Sequence, residues 1–157
     1  MVDNLYVRAF TGHGSDVQDI VVSFDNQYVI TAARDNHLKV WDLHTGACIR
    51  TLTGHSNSLY AVGMSLDGRF IASGSADAAI KIWDWTTGSC IRTLNDHRST
   101  IYCTLFAPDR RHLVSTSLDN TIKIWDYSTG RCERTIFDHH DRVWNVVFTP
   151  NGQMSVS

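Results

Sequence analysis

A step of 42 residues organises this chain. Trp41-Asp42, Trp83-Asp84 and Trp125-Asp126 recur at that spacing, and so do Thr45-Gly46, Thr87-Gly88 and Thr129-Gly130. Asp35, Asp77 and Asp119 keep the same register, as do Cys48, Cys90 and Cys132. His13, His55, His97 and His139 add a fourth copy. At this period each unit is one supersecondary module that buries its apolar face against its neighbours, so the repeat constrains the fold before local propensity does. The 157 residues hold about 3.7 units.

Within a unit, turn residues cut the sequence into four short apolar runs. After His55 come Leu59 to Met64 and the turn Asp67-Gly68, and then Phe70 to Ser75, ending at Asp77. Ala79 to Asp84 ends at Thr87-Gly88, and Cys90 to Leu94 leads into His97. Asp-Gly and Thr-Gly supply the positive φ of tight hairpin turns. Runs such as Ile80-Lys81-Ile82-Trp83 are β-branched or aromatic and only about five residues long, which favours strands. No stretch long enough for a helix keeps a 3.6-residue period. The fold class is all-β.

Gly54-His55, followed about 28 residues later by Trp83-Asp84, resembles the WD-repeat (Trp-Asp repeat) family, and the likeness covers the whole chain. The resemblance implies a β-propeller, with blades of four antiparallel strands standing radially around a central channel. On that frame 1–157 is one WD-repeat propeller region. Residues 1–13 are the outer strand of a preceding unit, 14–55, 56–97 and 98–139 are repeats 1 to 3, and 140–157 start repeat 4. Three blades are complete and one is split. Tyr6 to Thr11 would give the split blade its outer strand and Val143 to Phe148 its inner one. Asn151-Gly152 would be the turn into Met154 to Ser157. The third strand of that blade is missing, which leaves an open ladder that invites self-association. Three readings of this partial propeller follow: a piece of a larger ring, a composite ring of several copies, or a small ring with an imperfect last blade.

Every full unit carries a His, a hydroxyl, an Asp and a Trp. The sets are His13, Thr31, Asp35 and Trp41; His55, Ser73, Asp77 and Trp83; His97, Ser115, Asp119 and Trp125. Any one could pass for a Ser-His-Asp triad, but a catalytic constellation occurs once and this one recurs in each unit. The resemblance makes them structural tetrads, a relay from indole N–H through hydroxyl and imidazole to carboxylate. His139 and Ser157 would begin a fourth. Asp42, Asp84 and Asp126 are read as turn acceptors. Glu133 is the only glutamate, no unique acidic cluster stands out, and no catalytic residue is assigned.

The four cysteines include no Cys-x-x-Cys pair and no Cys-His spacing of a zinc site, so small buried thiols are expected, with no metal and no cofactor. His139-His140 is a weak metal candidate, because adjacent strand residues point opposite ways. Free thiols and the lack of a visible signal peptide suit an intracellular location, cytoplasmic or nuclear. Fourteen basic against sixteen acidic residues give no cationic field, and no apolar run approaches the roughly 20 residues that span a bilayer. Neither nucleic acid nor membrane is therefore the expected partner.

Positions that vary inside the fixed frame carry the functional reading. The apolar residues four, seven and nine after the His, as Leu59, Val62 and Met64 after His55, face the blade packing, a spacing that slips by one and points to a bulge. Residues three and five after the His then leave the core face, and a further position precedes the repeated Asp. In similar propellers these line the channel mouth that grips partners. They select Gln18, Arg34, Tyr60, Tyr102, Arg142 and Trp144 as partner-binding residues, since Tyr, Trp and Arg are enriched at binding hot spots. The expected function is a non-catalytic protein-interaction scaffold for a peptide or protein partner. The alternatives are an enzyme or regulatory domain of a larger protein, or single-stranded nucleic acid stacking on the aromatics.

Overall fold

The computed structural model describes residues 8–137, 141–149 and 154–156, the last three by their backbone. Four-stranded antiparallel sheets recur three times in chain order. The first comprises β1 (Val17–Val22), β2 (Tyr28–Ala33), β3 (Leu38–Asp42) and β4 (Cys48–Leu52). The second comprises β5 (Leu59–Met64), β6 (Phe70–Ser75), β7 (Ile80–Asp84) and β8 (Ser89–Leu94). The third comprises β9 (Ile101–Phe106), β10 (His112–Ser117), β11 (Ile122–Asp126) and β12 (Arg131–Ile136). A two-stranded sheet of β13 (Val146–Phe148) and β14 (Met154–Val156) follows. The described residues contain no helix. This is the all-β, partial-propeller architecture of three complete blades and an incomplete one.

The turns obey their chemistry. Gly46, Gly88 and Gly130 take φ of 76°, 84° and 81° after the third strand of each blade, where an L side chain is disfavoured. Asp42, Asp84 and Asp126 accept the backbone N–H groups of the residues that follow, as at Asp84 Oδ1 with Thr86 N at 3.1 Å and Thr87 N at 3.2 Å. Between first and second strands, Gly68 has φ 71°, while Asn26 (56°) and Arg110 (59°) hold the same place in the other blades.

The core lies between blades rather than within them. Ile30, Ala32, Leu38, Val40 and Leu52 of the first blade pack on Leu59, Val62, Met64, Ile71 and Trp83 of the second. One period on, Ala72, Ile80, Ile82 and Leu94 pack on Ile101, Phe106, Leu113 and Trp125. Val114 and Ile122 then pack on Val143 and Val146, so the last segment begins the next interface. Inner strands approach so closely that a Cβ on Gly63 would stand 2.6 Å from the Thr104 carbonyl oxygen.

Arginines staple the rim. Arg50 donates to Thr86 O at 2.8 Å and Thr87 O at 3.2 Å, reaching from β4 to the turn of the next blade. Arg92 repeats this with Ser128 O at 2.6 Å and Thr129 O at 3.0 Å. These guanidinium groups occupy the space beside Gly88 and Gly130, and Arg8 lies in the same way against Gly46.

Three expectations need correction. Cys48 and Cys90 are exposed and Cys132 is half-exposed, not buried, because the outer strand pairs on one side only and turns little besides Leu52 or Leu94 inward. Among Arg8 to Thr11 there is no strand; Tyr6 and Val7 lie outside the described residues. Strand structure in Val143 to Phe148 begins only at Val146. His139, His140, Asn151, Gly152 and Ser157 also lie outside the described residues.

Candidate binding site at the mouth of the inner strands

The tetrads form one side of the site's scaffold. Trp83 Nε1 donates to Ser73 Oγ at 2.8 Å, His55 Nε2 meets the same hydroxyl at 2.8 Å, and His55 Nδ1 meets Asp77 Oδ2 at 2.8 Å. The first blade repeats this through Trp41, Thr31, His13 and Asp35, with distances of 2.8, 2.6 and 2.8 Å. The third repeats it through Trp125, Ser115, His97 and Asp119, at 2.8, 2.7 and 2.8 Å. The chain of donors is balanced if the imidazole carries its proton on Nδ1: indole donates to hydroxyl, hydroxyl to Nε2, and Nδ1–H to carboxylate. Each Asp also accepts the backbone N–H that follows its His, at Gly14, Ser56 and Arg98.

Electrostatics follow from this burial. Loss of solvent lowers the pKa of His55 and His97 despite their carboxylate partners, which favours the neutral rings. Burial pushes the Asp119 carboxyl up, but hydrogen bonds from Thr121, the Arg98 N–H and His97 outweigh it and bring the pKa down to about 2. Ser73 and Ser115 are wholly buried and already engaged, so neither hydroxyl is offered to a substrate. The repeated Asp thus anchors the segment that enters each inner strand.

That entry is where the strands bulge. The β1–β2 register slips between Val17 and Asp19, and the β5–β6 register between Leu59 and Ala61. In the third blade Ser117 pairs with Ile101 and Thr116 with Cys103. The skipped residues are Gln18, Tyr60 and Tyr102. A bulged residue is turned out of the ladder, so its side chain is released from the alternation that buries its neighbours. The mouth is further tied by Arg34 N–H to Asp16 O at 2.9 Å, Ala76 N–H to Ser58 O at 2.8 Å and Leu118 N–H to Thr100 O at 2.8 Å.

The six residues selected from sequence meet in one place. Gln18, Arg34, Tyr60, Tyr102 and Trp144 line a single cavity of about 360 Å³. Arg34 lies over the Tyr60 ring at 5.7 Å, Tyr60 meets Tyr102 edge-on at 5.5 Å, and Tyr102 meets Trp144 at 4.6 Å with the rings tilted by 38°. Arg142 covers the Trp144 ring at 5.9 Å. The result is a row of three rings with a guanidinium at each end. Tyr60 and Tyr102 are half-buried, whereas Arg34, Arg142 and Trp144 are exposed. Arg34 also pairs loosely with Asp16, at 3.7 Å.

Sequence reasoning missed the cavity deeper along the inner strands, about 430 Å³ and lined by Asp19, Val62, Cys103, Asn145 and Val146 among others. Asp19 Oδ2 accepts the Val62 N–H at 2.8 Å, and burial raises its pKa. Asp19, Ala61, Cys103 and Asn145 share one repeat position, which was the available signal. Among the described residues no group of three or more His, Cys, Asp or Glu is placed to hold a metal, and no helix is long and apolar enough to cross a membrane.

Comparison with known proteins agrees with this architecture. A 40-residue stretch is 45% identical to "Cross-pathway control WD-repeat protein 2" of Flammulina velutipes, covering 26% of this chain and 13% of that protein. Over 47 residues the chain is 43% identical to "Small ribosomal subunit protein RACK1" of Candida albicans, covering 28% of this chain and 15% of the relative. Over 47 residues the chain is also 40% identical to "Pre-mRNA-processing factor 17" of Mus musculus, covering 30% of this chain and 8% of that one. The matches thus span only a small part of each relative. The family profile described as "WD domain, G-beta repeat" matches residues 4–42, 46–84 and 88–126, most of the chain. With three profile matches, three four-stranded blades and a hydrogen-bonded tetrad in each, this protein belongs to the WD-repeat family.

Proposed function

We propose that this chain is a non-catalytic interaction scaffold, intracellular in location, that holds a peptide or protein partner at the mouth of its inner strands. The observation that carries this reading is the convergence of Gln18, Arg34, Tyr60, Tyr102 and Trp144, from four successive repeats, on one concave surface. Bulges free Gln18, Tyr60 and Tyr102 from the core-facing alternation, and Tyr, Trp and Arg are the residue types enriched at binding hot spots. Membership of the WD-repeat family supports a scaffold, and the buried, fully engaged tetrads support a binding role over a hydrolytic one. The repeats 14–55, 56–97 and 98–139 are read as successive structural units, the first contributing Gln18 and Arg34, the second Tyr60 and the third Tyr102 to the mouth.

The test is capture of partners from lysate by the parent and by Tyr60→Ala, Tyr102→Ala and Trp144→Ala, with thermal melts of each. Arg110→Ala, on the turn that precedes β10, is the control. The best anchor should lose ~2 kcal/mol or more of binding, with melting close to the parent. Arg34→Ala should mainly slow association with an acidic partner. Aromatic variants that keep every partner while melting far lower would make those rings core and place the binding surface elsewhere.

A further inference from the structure

The geometry points to the chemistry of the partner, an inference that rests on the mouth being the binding surface: an extended peptide segment bearing a proline or aromatic residue between two carboxylates. The rings of Tyr60, Tyr102 and Trp144 form a row of mutually inclined aromatic groups, and both ends of that row carry cations, Arg34 over Tyr60 and Arg142 over Trp144. A ligand lying along the row therefore meets positive charge at each end and aromatic surface between. Steps of 5.7, 5.5, 4.6 and 5.9 Å separate successive groups. At about 3.3 Å per extended residue, roughly six residues reach from one guanidinium to the other.

Each guanidinium is available to a ligand. Arg34 is held by Asp16 only at 3.7 Å, and that carboxylate is itself three-quarters exposed, so a ligand carboxylate can replace it at small cost. Arg142 is exposed, and its planar fork suits bidentate capture of a carboxylate. Between them, aromatic-lined grooves take proline and aromatic side chains, and an extended or polyproline segment loses little entropy on docking. Single-stranded nucleic acid fits less well. Successive rings are inclined by 71° and 38° and the outer two are covered by guanidinium groups, so no open parallel face is presented for base stacking. Two arginines interleaved with Asp16 and Asp141 are also few for tracking a phosphodiester backbone.

The experiment measures fluorescence anisotropy of the whole chain with labelled synthetic peptides about eight residues long. One has a Pro-Tyr centre and Asp at both ends, a second replaces each Asp with Asn, and a third has a Gly centre; a labelled oligothymidine is the fourth probe. The Asp-ended peptide should bind about tenfold more tightly than its Asn-ended analogue, and added salt should close that gap. Arg34→Gln with Arg142→Gln should bring the two to equal affinity, and the Gly-centred peptide should bind worst. Trp144→Ala, at a side chain more than half exposed, should weaken the Asp-ended peptide even if Tyr102→Ala proves to melt early. Equal binding of the Asp and Asn peptides, both lost in Trp144→Ala, would overturn the acidic preference and leave the mouth site standing. Asp-peptide binding untouched by Trp144→Ala and Tyr102→Ala would overturn both. Tighter binding of oligothymidine, or no binding of any peptide, would overturn the peptide assignment, with partner capture remaining as the separate test of the scaffold.

Discussion

Val17, Ile20 and Val22 of β1 hold the same repeat positions as Leu59, Val62 and Met64 of β5, yet their fates are opposite. The first three are 50%, 56% and 45% exposed, and the second three are 0%, 6% and 7% exposed. The residues at these positions do not make the difference, since they are apolar in both strands, and both strands are six residues long and bulged at the same point. What β5 has and β1 lacks, among the described residues, is a preceding blade laid against that face. In this fold a blade's apolar face is buried by its neighbour, and stability is a property of interfaces between repeats. The second blade, covered on both sides, is where substitutions should be felt most.

The largest contrast should come from truncating the paired positions themselves. Leu59→Ala should cost about 2–5 kcal/mol in urea unfolding, whereas Val17→Ala should stay within about 0.5 kcal/mol of the parent. Equal losses would mean that β1 is covered in solution, by another copy or by chain beyond these residues. Next comes the tetrad. Trp83→Phe keeps most of the ring volume but removes the donor to Ser73, so a cost of ~1–3 kcal/mol is expected from chemical unfolding, and an unchanged curve would show that the relay contributes nothing in that blade.

Smaller effects sharpen the comparison at the rim. Arg92→Ala removes two bonds to carbonyls of the third blade and should cost ~1 kcal/mol. Arg134, one period later, is exposed, and no following turn lies against it among the described residues. Arg134→Ala should therefore leave the midpoint alone. The smallest effect is a pH dependence. Asp109, then Glu133, raise the pKa of His112, an ion-paired ring linked through Glu133 to Arg111 and Asp126. A raised folded value means the stabilisation is full below about pH 6.5 and is lost as pH rises through the folded value. His55 and His97 have the opposite sign: their folded values are lowered, so acid below about pH 6.5 weakens the tetrads. Melting His112→Phe (the residue type at Phe70) against the parent should show a parent advantage only on the acid side, and an advantage that grows with alkalinity would reverse the assignment.

Much of this was readable from the repeat. Strand limits in the second blade shifted by no more than a residue, because Asp67-Gly68, Asp77 and Thr87-Gly88 mark turns whose backbone demands those residues. The bulge and the mouth cluster were also readable, since the apolar spacing after each His slips by one and the skipped residues are Gln18, Tyr60 and Tyr102. The thiols were not: a small apolar side chain on a strand says nothing of whether that strand is the outer one, with solvent beyond it. Arg50 and Arg92 were visible as a 42-residue series, but their targets lie 36 and 37 residues away, in the next blade's turn. The His112 network escaped for the opposite reason. It occurs once, because Glu133 stands where the other blades carry the exposed Ile49 and Ile91.

On the function proposed above, one inner strand has two roles in adjacent residues: the residue in the ladder holds the blades together, and the bulged residue beside it holds the partner. Ile101 and Tyr102 test this side by side, the first wholly buried and the second half-buried at the mouth. The measurement is a melting curve and a partner-binding isotherm for Ile101→Ala and for Tyr102→Ala, taken well below either transition. Ile101→Ala should lose about 2–5 kcal/mol of stability and bind normally while folded, and Tyr102→Ala should melt near the parent and bind at least about tenfold more weakly. The reverse pattern, with Tyr102→Ala melting low and binding intact, would contradict the account.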